Sequence, residues 1–220
     1  AIPFFWGAAN MGAMSKSMYL SLTALFAAAA MVITIGGFEV CYPLLPYLKF
    51  DFAEIPATIS YFIAGFYSSI IVATAHWFFL MYSRGDVLGP SMKYMAVLSM
   101  LIGYHVSSIA LRKFSSRGNS YFSISVSIAL GCLFRVIVMT FSNIIVLSFI
   151  APGYLDFAAM MIERVIGKSV NHAEALYWTC VFTGIYNAIH VLFSFVPALI
   201  IVKVIRRRLG TLMSSAFNFF

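Results

Sequence analysis

Hydrophobic residues in this chain fall in long unbroken blocks separated by short polar segments. The block over 20–35 is apolar on every side. It shows neither the alternation of a half-buried strand nor the single stripe of a surface helix. Blocks at about 16–37, 52–65, 67–82, 87–114, 121–150 and 175–208 predict six helices. The second and third are short, and Gly65 permits a break between them. A transmembrane β-barrel needs short alternating strands, which this pattern lacks. The connection 151–174 contains an amphipathic piece, 157–166, suited to lying along a membrane surface. No repeat or low-complexity tract appears. The chain reads as one domain, 16–208, with an N-terminal extension over 1–15 and a C-terminal tail over 209–220. The extension lacks the basic segment and cleavage site of a secretory signal.

Composition turns six helices into six membrane spans. The chain is 62% hydrophobic and 10% charged, with mean hydropathy +0.96. Soluble domains carry about 25% charged residues, and about 20 apolar residues cross a bilayer as a helix. The expected fold class is therefore an all-α integral membrane protein. With both termini cytoplasmic, the inner segments hold Lys16, Arg112, Lys113, Arg117, Lys203, Arg206, Arg207 and Arg208. The outer segments hold Lys49, Arg84, Lys93, Arg164 and Lys168, and Arg135 lies within a helix. The basic excess is inside, as the topology rule requires. All seven acidic residues fall on the outer side in this topology. The basic inner face suits anionic lipid or an acidic partner. The net charge of +7 requires no nucleic acid.

Enzyme signatures are missing. Gly167-Lys168-Ser169 resembles the end of a nucleotide-binding loop, but Ile162 stands where that loop needs its first glycine. No ATPase site is expected. Cys41, Cys132 and Cys180 lack metal or redox spacing and read as small apolar fillers. The four histidines lack metal-ligand spacing, so no metal is expected. A proton-coupled carrier needs an ionisable relay within its helices. Arg135, His76, His105 and His190 are candidates, with no buried acid expected to join them.

Polar residues inside membrane helices are costly, which makes them functional candidates. Arg135, Met139 and Asn143 share one face of the fifth helix, and Asn187 and His190 share one face of the sixth, beside Tyr186. The two amides can hold a ligand's polar edge or join helices by hydrogen bonds. Both readings stand on the sequence. Tyr42, Tyr47, Phe50 and Phe52 suit stacking on a flat ring. Ala24 and Ala28 make a smooth stripe, for packing within the subunit or for a second membrane protein.

The segment 43–57, Pro-Leu-Leu-Pro-Tyr-Leu-Lys-Phe-Asp-Phe-Ala-Glu-Ile-Pro-Ala, places two prolines and two acids between apolar blocks. It resembles the first outer loop of the riboflavin-type substrate-binding (S) subunits of energy-coupling factor (ECF) vitamin importers. Arg135-Val-Ile-Val-Met-Thr-Phe-Ser-Asn143 is similar to that family's fifth helix, and Tyr186-Asn187-Ala-Ile-His190 to its sixth-helix motif, Phe-Asn-x-x-Lys. The likeness covers most of 24–204. It implies an S-component-like bundle of six spans in the cell membrane, without catalysis, which captures riboflavin from outside. It also implies association with a transmembrane coupling subunit and two cytoplasmic ATPases, with release by toppling in the membrane. Ala24 and Ala28 would face the coupling subunit. Residues 43–52 would form a lid, in which Leu45, Tyr47, Lys49, Phe50, Asp51 and Phe52 meet the ligand. Asn143, Tyr186, Asn187 and His190 would hold its polar groups. Two departures stand out. His190 replaces a lysine, which suits an uncharged vitamin better than a carboxylate. Phe66-Tyr67-Ser68-Ser69 replaces a Gly-Pro turn. The alternatives are an S subunit for another vitamin or precursor, and a self-sufficient small-solute carrier.

Overall fold

The structure, a computed structural model, describes residues 15–114 and 120–217, with side chains over 15–111 and 122–208. Nearly all of the N-terminal extension, Arg117 and the side chains of the C-terminal tail lie outside the described residues.

Helix α1 (Lys16–Ile35) begins where the Ser15 hydroxyl oxygen accepts the Met18 N–H at 3.2 Å. This satisfies one of the donors that a helix start leaves open. A two-stranded antiparallel ribbon follows, β1 (Glu39–Cys41) with β2 (Lys49–Asp51), pairing Val40 with Phe50. The prolines at 43 and 46 keep the intervening loop out of helix, as their fixed φ and missing N–H require. A 3₁₀ turn, Phe52–Glu54, leads into α2 (Ile55–Ala64), with Pro56 in its first turn. The helices α3 (Phe66–Arg84), α4 (Leu88–Phe114) and α5 (Ser120–Ile145) follow. A π turn, Val146–Ile150, ends α5. The amphipathic segment folds as α6 (Gly153–Ile166). The last helix, α7 (His172–Phe217), starts earlier than its apolar block and continues through most of the segment read as a tail.

Gly65 breaks the chain between α2 and α3 at φ 101° and ψ −180°, a conformation that only glycine adopts readily. Ser68 stands in the first turn of α3, just after the break. Its hydroxyl bonds Ser60 at 2.6 Å and Thr23 on α1 at 2.7 Å, tying three helices together beside the break.

The main core joins α1, α2, α3, α4 and α7 around Ala57, Phe62, Val72, Met100, Tyr104 and Phe195. Helices α4 and α5 cross at two glycines. A Cβ on Gly131 would stand 3.1 Å from the Met100 carbonyl oxygen and the Tyr104 nitrogen, and one on Gly103 would meet Phe134 at 2.7 Å. A second core docks the ribbon: Tyr42, Leu45 and Phe50 pack with Ile162 of α6 and Phe182 of α7.

Among the described residues, four helical stretches are long and apolar enough to cross a membrane: Lys16–Ile35, Leu88–Leu111, Phe122–Ile150 and His172–Arg208. On α1, Ala27 and Ala30 are buried, whereas Ala24 and Ala28 are exposed. The stripe that holds the predicted pair therefore faces away from the rest of the subunit.

Candidate functional site

A cavity of about 390 Å³ opens between the ribbon, α4, α5, α6 and α7. That volume falls within the roughly 300–1,000 Å³ of small-molecule sites. Met92 and Ala96 of α4, Met139 of α5 and Leu147 of the π turn give it apolar wall. Tyr47, Tyr154, Phe157 and Tyr186 give aromatic surface, and Asn143, Thr183 and Asn187 give neutral polar groups. Desolvation pushes the Tyr47 hydroxyl up to about 12.

A closed polar cluster forms part of the cavity wall. Arg135, 1% exposed, donates to both Glu54 carboxylate oxygens, at 2.7 and 3.1 Å. Its Nε donates to Asn187 Oδ1 at 2.9 Å, and Nη1 also reaches the Met100 sulfur at 3.5 Å. Nη2 stands 3.3 Å from His190 Nδ1. A guanidinium only donates, so Nδ1 accepts and the His190 proton sits on Nε2. That proton goes to the Asp51 carbonyl oxygen, 3.1 Å away. Ser194 completes the Glu54 shell at 2.9 Å.

This overturns the expectation that no buried acid joins the buried cations. The sequence pattern places Glu54 in a polar outer loop, yet it is only 1% exposed. The 3₁₀ turn instead carries it to the head of α2, where the guanidinium compensates its charge. The pairing was signalled by two opposite charges in otherwise apolar blocks, since a buried charge needs a partner.

The ten predicted ligand residues divide. Tyr47, Lys49, Asp51, Asn143, Tyr186 and Asn187 line the cavity. Leu45, fully buried, and Phe50 serve the ribbon's core. Phe50 also stacks on Tyr186, with ring centroids 4.8 Å apart. Phe52 packs edge-on against Phe193 at 6.3 Å. His190 lies behind the wall, within the polar cluster. Asn187 spends its carbonyl on Arg135 and its amide on the Thr183 carbonyl at 2.8 Å. Asn143 gives its amide to Thr183 Oγ1 at 3.0 Å, and no described side chain takes up its carbonyl. Sequence reasoning missed Glu54, Lys93, Tyr154, Phe157 and Thr183 as cavity residues. For Tyr154 and Phe157 the amphipathic pattern of α6 was the available signal.

Charged groups also meet at the mouth. Lys93 of α4 pairs with Asp51, Lys49 with Glu39, and Arg84 with Glu39 at 3.6 Å. Asp86 accepts the N–H groups of Leu88 and Gly89 at the head of α4, at 3.0 Å each. Among the described residues, no cluster of histidine, cysteine, aspartate or glutamate could hold a metal.

Comparison with protein-family models gives no match, and neither does comparison with curated proteins. Among solved structures, one described as the S component of a bacterial ECF transporter superposes with a TM-score of 0.57. The identity is 22%, over 90% of this chain and 99% of that one. The fold is that of an S component. With its long apolar helices, a chain of this S-component fold is a multi-pass membrane protein.

Proposed function

We propose that this chain is the substrate-binding subunit of an ECF-type, ATP-driven vitamin importer in the cell membrane, and that its substrate is riboflavin. The observation that carries the reading is the 390 Å³ cavity beneath the ribbon, aromatic and apolar on its walls with neutral amides among them. The ion pairs along it are internally matched. Such a site favours a flat, hydrogen-bonding ligand, whose faces the apolar and aromatic walls cover and whose polar edge the neutral amides meet. The isoalloxazine packs against the methionines and aromatic rings. Asn143 and Tyr47 meet its polar edge or the ribityl chain.

In this reading the chain crosses the membrane six times, with α2 and α3 as the second and third spans and both termini cytoplasmic. It binds a transmembrane coupling subunit through the exposed Ala24 and Ala28 face of α1. Two cytoplasmic ATPases supply the energy. A second reading, a self-sufficient carrier, draws on the buried Glu54 joined to Arg135 and His190.

The first test is the visible spectrum of the detergent-purified protein, with identification of any small molecule released on denaturation. Flavin bands and released riboflavin are expected. A colourless protein that also leaves added riboflavin fluorescence unquenched overturns the assignment. A panel of unlabelled vitamins then separates riboflavin from other cargo.

A further inference from the structure

An arginine in the wall of a membrane cavity invites the reading that it grips the ligand. The geometry points elsewhere, and we propose that Arg135 is a positioning residue that holds the ribbon over the cavity through His190. The inference rests on the binding-subunit reading above.

A guanidinium has five N–H donors, and all five of Arg135 are engaged within the protein. Two go to Glu54 and one each to Asn187, Met100 and His190. None is left for a ligand. What Arg135 does control is the His190 tautomer. Its Nη2 occupies Nδ1 and thereby directs the Nε2 proton at the Asp51 carbonyl of β2. Glu54 fixes the guanidinium in turn, in a two-point pairing that sets its plane.

The ribbon depends on such anchors. Each strand has three residues, and an isolated two-stranded ribbon is marginal on its own. Strand β2 is tied to α7 by the Tyr186 hydroxyl donating to the Lys49 carbonyl at 2.6 Å and by His190 donating to the Asp51 carbonyl. It is tied to α4 by the Lys93–Asp51 ion pair. Of these three ties, the one through His190 is set by Arg135.

Two variants of the full chain, in detergent or nanodiscs, test this. His190→Leu removes the last link and leaves the Arg135–Glu54 pair in place. Glu54→Met with Arg135→Met removes the pair together, the exchange for which apolar replacement is well tolerated in buried sites. Hydrogen exchange over 39–52 is the first readout, and it needs no ligand. Both variants are expected to exchange there about tenfold faster than the parent, the scale of one lost hydrogen bond, with the α4–α5 amides unchanged. Riboflavin should dissociate faster by a similar factor, with a smaller change in association.

Unchanged exchange over 39–52 in His190→Leu overturns the proposal, even where the double variant does not fold. So does accelerated ribbon exchange accompanied by an unchanged riboflavin dissociation rate. A parent protein that binds no riboflavin defeats the assigned substrate instead. The ribbon exchange then still decides whether Arg135 positions it.

Discussion

Arg135 and Asn143 lie on one face of α5 and line the same cavity, yet they have opposite standing. Arg135 is saturated by protein acceptors, whereas Asn143 keeps a carbonyl oxygen that no described side chain uses. Asn143→Ala is therefore the cleaner probe of ligand contact. Riboflavin affinity should fall about tenfold, one hydrogen bond's worth, while loss of the Asn143–Thr183 bond lowers stability by only about 1 kcal/mol; titration by fluorescence quenching measures the affinity. Asn187→Ala is harder to interpret, because it also strips the acceptor from Arg135 Nε. Arg135→Met alone should destabilise the protein by about 3–5 kcal/mol, since it leaves Glu54 buried without compensation. A chemical unfolding series against the parent checks this, and the Glu54→Met/Arg135→Met double should recover most of the loss. At this scale the sequence displayed the charges but not their pairing. Glu54 and Arg135 are 81 positions apart, and a pattern of apolar blocks shows where helices lie without showing which faces meet.

Helices were the most legible part of the chain. The six apolar blocks fall on helices α1 to α5 and α7; most ends are displaced by a few residues, while α7 runs on well past its block to Phe217. Length and hydropathy dominate there, and nothing competes with them. The break at Gly65 was readable for the same reason that it exists: only glycine tolerates its backbone angles. Gly65→Ala should cost about 1–3 kcal/mol, seen as a lower thermal midpoint. The α4–α5 crossing was not readable. Gly103 and Gly131 look alike in sequence to any other helical glycine, and only their opposition in space reveals a contact that excludes side chains. The ribbon was equally hidden. Its two strands are too short to leave an alternating signature, and the prolines announced only that the segment is not a helix.

Taken whole, the molecule is a bundle closed on one side by a docked ribbon and bearing an outward alanine stripe. On the binding-subunit reading, the chain alone binds without cycling. In liposomes containing this chain alone, riboflavin uptake should stop at about one ligand per protein, while the carrier reading predicts continuing accumulation. Saturating riboflavin should also stabilise the folded state, by about 2.7 kcal/mol at a hundredfold excess over its Kd. The S-component likeness was legible from the 43–57 segment and two helix motifs. The cargo and partners that this likeness implied stand as proposals, because they depend on surfaces and a cavity shape that sequence spacing does not encode.

The two cations over the cavity, Lys93 and Arg135, sit on helices whose mutual distance is fixed by backbone meeting backbone at Gly103 and Gly131. They engage Asp51 and Glu54, the two ends of one short turn. The pair of helices thus acts as a gauge against which the length of that turn is checked. Surface connections ordinarily absorb added or lost residues with little consequence. Here a single residue inserted between Phe52 and Ala53 would leave one carboxylate out of reach of its cation, so the turn is metered in a way its exposed neighbours are not.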